Sequence, residues 1–241
     1  LTFTSNVDSL FLSVVIWSEL GWRQFAIVND EKLDRNVKIS YDIIQRAKKN
    51  LTKENIDMPK VTIINGSPTP GSRLTAMIEL ADQLLQKQGF EVNHVNVGEL
   101  PPEDLIHTKF ESEAIVKANG LVAEADAVII ASPVYKASYT GVLKTFLDLV
   151  PQKGLAGKII LPLFIGGSLA HLLSIDYSLK PVLSALGARH ILGGVYAVDA
   201  YIARTDQGGF EINEELAARL EDNIAELAEE TKRRVQYAAL K

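Results

Sequence analysis

The stretch Met58-Pro-Lys-Val-Thr-Ile-Ile-Asn65-Gly-Ser-Pro-Thr-Pro-Gly-Ser-Arg-Leu-Thr75 decides the fold. Val61 to Asn65 is a short continuous apolar run that stops at Gly66. A strand buried on both faces has this form, because neither face needs polar residues. Downstream, Leu74, Met77, Ile78, Ala81, Leu84 and Leu85 recur at helical spacing, and Gly89 ends that helix. The unit is strand, loop, helix.

Working outward, the same unit repeats. Phe90 to Val97 reads as a second strand and Glu113 to Ala125 as a helix. Ala127 to Ala131 is another apolar run, and Leu143, Phe146, Leu147 and Val150 mark a helix closed by Pro151. Lys158 to Ile165 reads as a buried strand interrupted by Pro162. Leu169 to Leu186 is helix-like, with Pro181 expected to bend or divide it. His190 to Val198 gives the last strand. Asn213 to Ala239 is a long amphipathic helix, with Asn213 as N-cap and Leu216, Leu220, Ile224 and Leu227 on one face. This alternation predicts an α/β fold: a flavodoxin-like, doubly wound, five-stranded parallel sheet, order 2-1-3-4-5, with helices on both faces. Ligands of such sheets bind at the carboxyl ends of the strands.

Upstream of Met58 the text differs. Leu10 to Trp17 is a short apolar run without a basic flank, too short to span a bilayer and unlike a signal peptide. The Lys and Arg residues (Arg23, Lys32, Arg35, Lys38, Arg46, Lys48, Lys49, Lys53) equal in number the Asp and Glu residues (Asp8, Glu19, Asp30, Glu31, Asp34, Asp42, Glu54, Asp57), so the net charge of −5 belongs to residues 58–241. The chain begins at Leu1, both Trp residues precede Met58, and Lys53-Glu54 is encodable as a ribosome-binding sequence ahead of Met58. The expectation is a domain over 58–241 preceded by an extension over 1–57 that is a non-native leader. A genuine extension with a helix over Ser40 to Asn50 is the alternative.

Across its 241 residues the chain has no Cys, which excludes thiol nucleophiles, thiolate metal sites, iron–sulfur clusters and disulfides. That composition fits a cytoplasmic address. The mild acidity argues against a general nucleic-acid binder, and no apolar run is long enough for a membrane span.

Three loops follow the strands where chemistry is expected. Gly66 to Thr75 offers hydroxyls at Ser67, Thr69, Ser72 and Thr75, a cation at Arg73, and the start of a helix, which together suit a phosphomonoester. Gly66 and Gly71 have P-loop spacing, but Ser72-Arg73 stands where Lys-Ser/Thr is needed, so magnesium-dependent nucleotide hydrolysis is not expected. In the second loop, Ser132 to Lys144, backbone amides can meet the edge of a flat ring, with Tyr135 and Tyr139 flanking it. The third, Gly166-Gly-Ser-Leu-Ala-His171, pairs two glycines that admit close backbone approach with a histidine in reach of a ligand carbonyl. His94, His107 and His190 have no partner spacing, no set of residues has metal-ligand spacing, and Ser168 lacks a hydrolase elbow.

Gly66-Ser-Pro with Ser72-Arg73, Leu100-Pro-Pro-Glu-Asp-Leu105, Ser132-Pro-Val-Tyr-Lys136, Gly141-Val-Leu-Lys-Thr145, Gly167-Ser-Leu-Ala-His-Leu-Leu173 and Asp176 to Leu186 occur in this order. On these motifs, residues 58 to about 205 resemble the NADPH-dependent FMN reductases, in particular those of two-component alkanesulfonate monooxygenase systems. The resemblance implies FMN and NADPH as cofactors, with hydride passing directly between the two rings and no catalytic side chain or metal. It assigns Ser67, Thr69, Ser72, Arg73 and Thr75 to the FMN phosphate. Pro133, Val134, Tyr135 and Lys136 are assigned to the ribityl chain and ring, and Gly166, Gly167, Ser168 and His171 to the isoalloxazine. Many members carry Arg where this chain has Thr69, a charge that Arg73 supplies instead. Tyr177 falls where these reductases place a Tyr in an irregular helix at a subunit interface, so a homodimer or homotetramer is implied. A flavin-dependent monooxygenase is the implied partner, serving sulfur supply from alkanesulfonates. An FMN-retaining quinone, azo-dye or metal-oxyanion reductase and a flavodoxin-like electron carrier are the competing readings.

Overall fold

The computed structural model describes residues 11–18, 21–28 and 58–239. The chain divides into two compact units, Leu1–Asn55 and Ile56–Lys241. In the first unit, strands Phe11–Ser18 and Gly21–Val28 pair antiparallel, so Phe11 to Trp17 of the apolar run form part of a strand. The helix considered for Ser40 to Asn50 lies outside the described residues.

In the second unit, β1 (Lys60–Asn65), β2 (Glu91–Asn96), β3 (Ala127–Pro133) and β4 (Ile159–Gly166) form a parallel sheet ordered β2-β1-β3-β4. The outer neighbour of β4 comes in two pieces, β5 (His190–Ile191) and β6 (Val195–Val198), both parallel to it. The spatial order is therefore the expected 2-1-3-4-5. Two short strands, β7 (Ile202–Arg204) and β8 (Phe210–Ile212), form a separate hairpin that the sequence reading did not anticipate.

The helices are α1 (Arg73–Lys87), α2 (Pro102–Ile106), α3 (Glu113–Glu124), α4 (Gly141–Leu147), α5 (Lys180–Ala185) and α6 (Glu214–Ala239). Side chains alternate across the sheet, as strand geometry requires. Val61, Ile63, Ile129, Leu161 and Leu163 pack with α1 and α6. Ile64, Val128, Ile130, Ile160 and Phe164 pack with α3, α4 and α5. Every residue of β3 and β4 is buried, which is why both stretches read as buried, mostly apolar strands. Asn213 caps α6 as expected, its Oδ1 accepting from Leu216 N at 2.9 Å. Leu216, Leu220, Ile224 and Leu227 are all fully buried. Lys158 closes α3 from below, its Nζ donating to the carbonyls of Ala123 and Ala125. Burial pushes that ammonium's pKa down. Among the described residues no helix is long and apolar enough to cross a membrane.

Two expectations need correction. Pro162 does not interrupt β4, which pairs with β3 without a break from Ile159 to Ile165. The neighbour breaks instead. A Cβ on Gly194 would lie 2.8 Å from the Pro162 carbonyl oxygen and 3.2 Å from its ring Cδ. The proline ring thus faces the gap between β5 and β6, where no donor is needed and glycine leaves room. The single last strand expected over His190 to Val198 is split for this reason.

The segment Leu169 to Leu186 is divided into a 3-10 turn (Leu169–His171), a π-helical turn (Ile175–Leu179) and α5. A continuous α-helix would bond the N–H of residue 181 to the carbonyl of Tyr177. Pro181 has no N–H, and the turn widens over the residues just before it. Tyr177 sits in the middle of that turn and is 79% exposed.

Candidate functional site

β1 hands the chain to a loop that is built largely from its own polar groups. Gly66 N donates to the Ala131 carbonyl on β3 at 2.8 Å, keeping the loop's first residue in the sheet. A Cβ on Gly66 would meet Leu143 Cβ at 2.6 Å, so α4 packs against the bare backbone. From α4, Thr140 Oγ1 donates to the Gly66 carbonyl at 2.6 Å and accepts from Leu143 N at 3.0 Å, capping α4 and the loop together. Asn65 Oδ1 accepts from Ser67 N at 3.0 Å. Ser67 is buried, and its hydroxyl donates to the Thr69 carbonyl at 3.1 Å and lies 3.3 Å from Ser72 Oγ.

Thr69, Ser72, Arg73 and Leu74 line a cavity of about 230 Å³ together with Pro133, Val134, Tyr135, Gly166 and Gly167. The cavity lies at the carboxyl ends of β1, β3 and β4. Eight of the residues expected from sequence therefore meet in one place. Ser67 and Thr75 stand behind it, the first holding the loop's shape and the second half-buried in the first turn of α1. Lys136, Ser168 and His171 are exposed and are not among the residues lining it.

The second loop owes its shape to backbone strain. Lys136 and Ala137 have φ of +52° and +65°. Tyr135 N donates to the Ser138 carbonyl at 2.9 Å and Ser138 N returns the bond to Tyr135 at 3.2 Å, the reciprocal pairing of a primed two-residue turn. Neither residue is the Gly or Asn that such a turn prefers. At the third loop, Tyr196 on β6 donates its hydroxyl to the Ser168 carbonyl at 2.8 Å. A Cβ on Gly166 would fall 2.2 Å from that hydroxyl oxygen. Burial, and secondarily the Asp199 charge, pushes the Tyr196 hydroxyl's pKa up. Gly167 has open space around its missing Cβ.

Two charged lining residues were missed from the sequence, Asp199 and Arg204. Asp199 follows β6 directly and Arg204 ends β7. The turn chemistry of Gly208-Gly209 between Ile202 and Phe210 was the available signal for a hairpin there.

The donor set fits a phosphomonoester: hydroxyls at Thr69 and Ser72, the Arg73 guanidinium, and the first N–H groups of α1, which have no partner inside the helix. Ser72 is the N-cap of α1, yet its side chain makes no capping bond. Sheet order and site placement together define a flavodoxin-like domain. The sequence profile of the NADPH-dependent FMN reductases matches residues 59–203, and the chain belongs to that family. It is 45% identical over 165 residues to an FMN reductase (NADPH) of Pseudomonas putida, covering 68% of this chain and 84% of the relative. It is 47% identical over 143 residues to an FMN reductase (NADPH) of Escherichia coli, covering 59% and 75%. Among solved structures, the apo form of the NADH:FMN oxidoreductase EmoB superimposes with a TM-score of 0.64 at 34% identity, covering 71% of this chain and 89% of that one.

Proposed function

We propose that this protein reduces FMN with NADPH and releases reduced FMN to a flavin-dependent monooxygenase in the cytoplasm, in the service of alkanesulfonate desulfonation. The observation that carries the reading is the meeting, in one cavity, of the hydroxyl-and-arginine loop after β1 with the glycine pair after β4. Thr69, Ser72 and Arg73 hold the phosphate, with Ser67 and Thr75 supporting the loop. Pro133, Val134, Tyr135 and Lys136 border the ribityl chain and ring. Gly166, Gly167 and Ser168 border the isoalloxazine with backbone alone, and His171 stands at its rim.

The flavin supplies the chemistry, taking up the nicotinamide hydride when the rings stack. The chain orients the two rings and leaves one ring face accessible. The exposure of the third loop from Gly167 to Leu173 supports that arrangement. Leu169, Leu172, Leu173 and Tyr177 expose apolar surface beside that loop, which supports self-association into a dimer or tetramer.

Steady-state NADPH oxidation with free FMN tests the reading. Saturable turnover with release of reduced FMN is expected. No NADPH oxidation would defeat it in favour of an electron carrier. Turnover only on adding a quinone or azo dye, with FMN retained through gel filtration, would favour the other enzyme class.

A further inference from the structure

We propose that Arg204 is a second phosphomonoester-binding cation of this cavity, outside the loop motif that runs from Gly66 to Thr75. The inference rests on the reading of the cavity as a site for FMN and NADPH.

Its basis is a reciprocal interlock. Arg73, the first residue of α1, donates Nε to the Ile202 carbonyl on β7 at 2.8 Å. Arg204, two residues further along β7, places Nη2 3.4 Å from the Gly71 carbonyl in the loop. Each arginine reaches across to a carbonyl two residues before the other, and both line the same cavity. Among the described residues neither guanidinium has a carboxylate in ion-pair distance. Among the described residues, the only acid lining the cavity is Asp199.

Arg204 is also held in place. Its guanidinium carbon lies 5.1 Å from the centroid of the Phe210 ring, and the two residues face each other in the hairpin register. An aromatic platform attracts the cation and fixes the plane of its fork before any ligand arrives. A guanidinium carries five donors, and the contact to Gly71 uses one of them. The remaining donors suit an oxygen cluster of high charge. A phosphomonoester at neutral pH carries close to two negative charges on three acceptor oxygens. Arg73 alone leaves that charge half balanced, and Arg204 supplies the second cation from the neighbouring β7 segment.

Two substrates carry this group: FMN at its 5′-phosphate and NADPH at its 2′-phosphate. Riboflavin and NADH lack it, which gives the test. In the full chain, Arg204→Ala is compared with wild type by fluorescence titration of FMN and riboflavin, and by kcat/KM for NADPH and NADH. The expected result is a roughly tenfold fall in one preference, with the phosphate-free ligand unchanged within about twofold. A fall in FMN over riboflavin assigns the 5′-phosphate; a fall in NADPH over NADH assigns the 2′-phosphate. Phe210→Leu keeps the charge, removes the platform and should show the same loss at about threefold, so it carries the test if Arg204→Ala fails to fold. Both preferences retained, or equal weakening of ligands with and without phosphate, overturns the inference while leaving the proposed activity standing. A wild type that binds neither flavin overturns the reading of the cavity, and this inference with it.

Discussion

The loop after β1 and the loop after β4 meet at one cavity but are built on opposite terms. The first is tied down at every step: Gly66 to β3, Thr140 to Gly66, Asn65 to Ser67, Ser67 to Thr69, and Arg73 to the β7–β8 hairpin. The second has one firm tether, the Tyr196 hydroxyl on the Ser168 carbonyl, and is otherwise exposed from Gly167 to Leu173. A phosphate needs donors fixed before it arrives, because reorganising them would cost affinity. A planar ring that must be approached by a second ring needs a border that leaves one side open. On the proposed function, the loop after β1 is the anchor and the loop after β4 the entrance.

The sharpest way to break this contrast is a matched pair of glycine variants. Gly66→Ala places a methyl 2.6 Å from Leu143 Cβ and should lower unfolding free energy by about 2–3 kcal/mol. Gly167→Ala meets nothing within 4 Å and should change it by less than about 0.5 kcal/mol. Equal effects in urea denaturation would show that the two loops do not differ in packing. Next in size, Arg73→Ala should weaken FMN binding by roughly tenfold or more, whereas His171→Ala should leave it within about threefold. Comparable losses in a fluorescence titration would move the anchor to the third loop.

Smaller effects probe the tethers. Tyr196→Phe removes the side-chain bond from β6 to the third loop and should cost about 1 kcal/mol. It should also alter alkaline stability. The folded state raises this hydroxyl's pKa above that of an unfolded tyrosine, about 10. Its contribution is therefore complete below that pH and is lost as pH rises towards the folded value. Thermal melts of Tyr196→Phe should show a shallower alkaline decline than wild type. An unchanged decline would assign it to other groups. Last, Ala137→Gly relieves one left-handed residue in the middle loop and should stabilise by up to about 1 kcal/mol, since the gain is offset by the unfolded chain's added freedom. Destabilisation would mean that the turn is not strained.

How much of this was legible in the sequence follows from how local each cause is. The strands β1, β3 and β4 announce themselves because burial on both faces leaves mostly apolar residues. The helices α1 and α6 do so through one-sided spacing and, for α6, the Asn213 cap. Pro162 was misread because its tolerance depends on a gap in a different strand, about thirty residues away, which no local pattern reports. The loop after β1 was legible because hydroxyls, glycine and arginine cluster within ten residues, Gly66 to Thr75. Asp199 and Arg204 were not, because each is an isolated charged residue whose place in the cavity is set by β6 and a three-residue strand. Tertiary structure alone brings them to the cavity that Arg73 lines.

The two-piece strand beside β4 has a further consequence, for life at high concentration. A sheet of this kind ends in an open border of unpaired backbone groups, a template on which another chain can add itself. Here that border runs for two residues, His190–Ile191, steps aside at Gly193-Gly194, and resumes for four, Val195–Val198. Arg219 of α6 takes the Tyr196 carbonyl at 3.0 Å. An intruding strand would find no uninterrupted register long enough to zip along. The same proline that looked like a flaw in the middle of the sheet thus protects its margin from unwanted polymerisation.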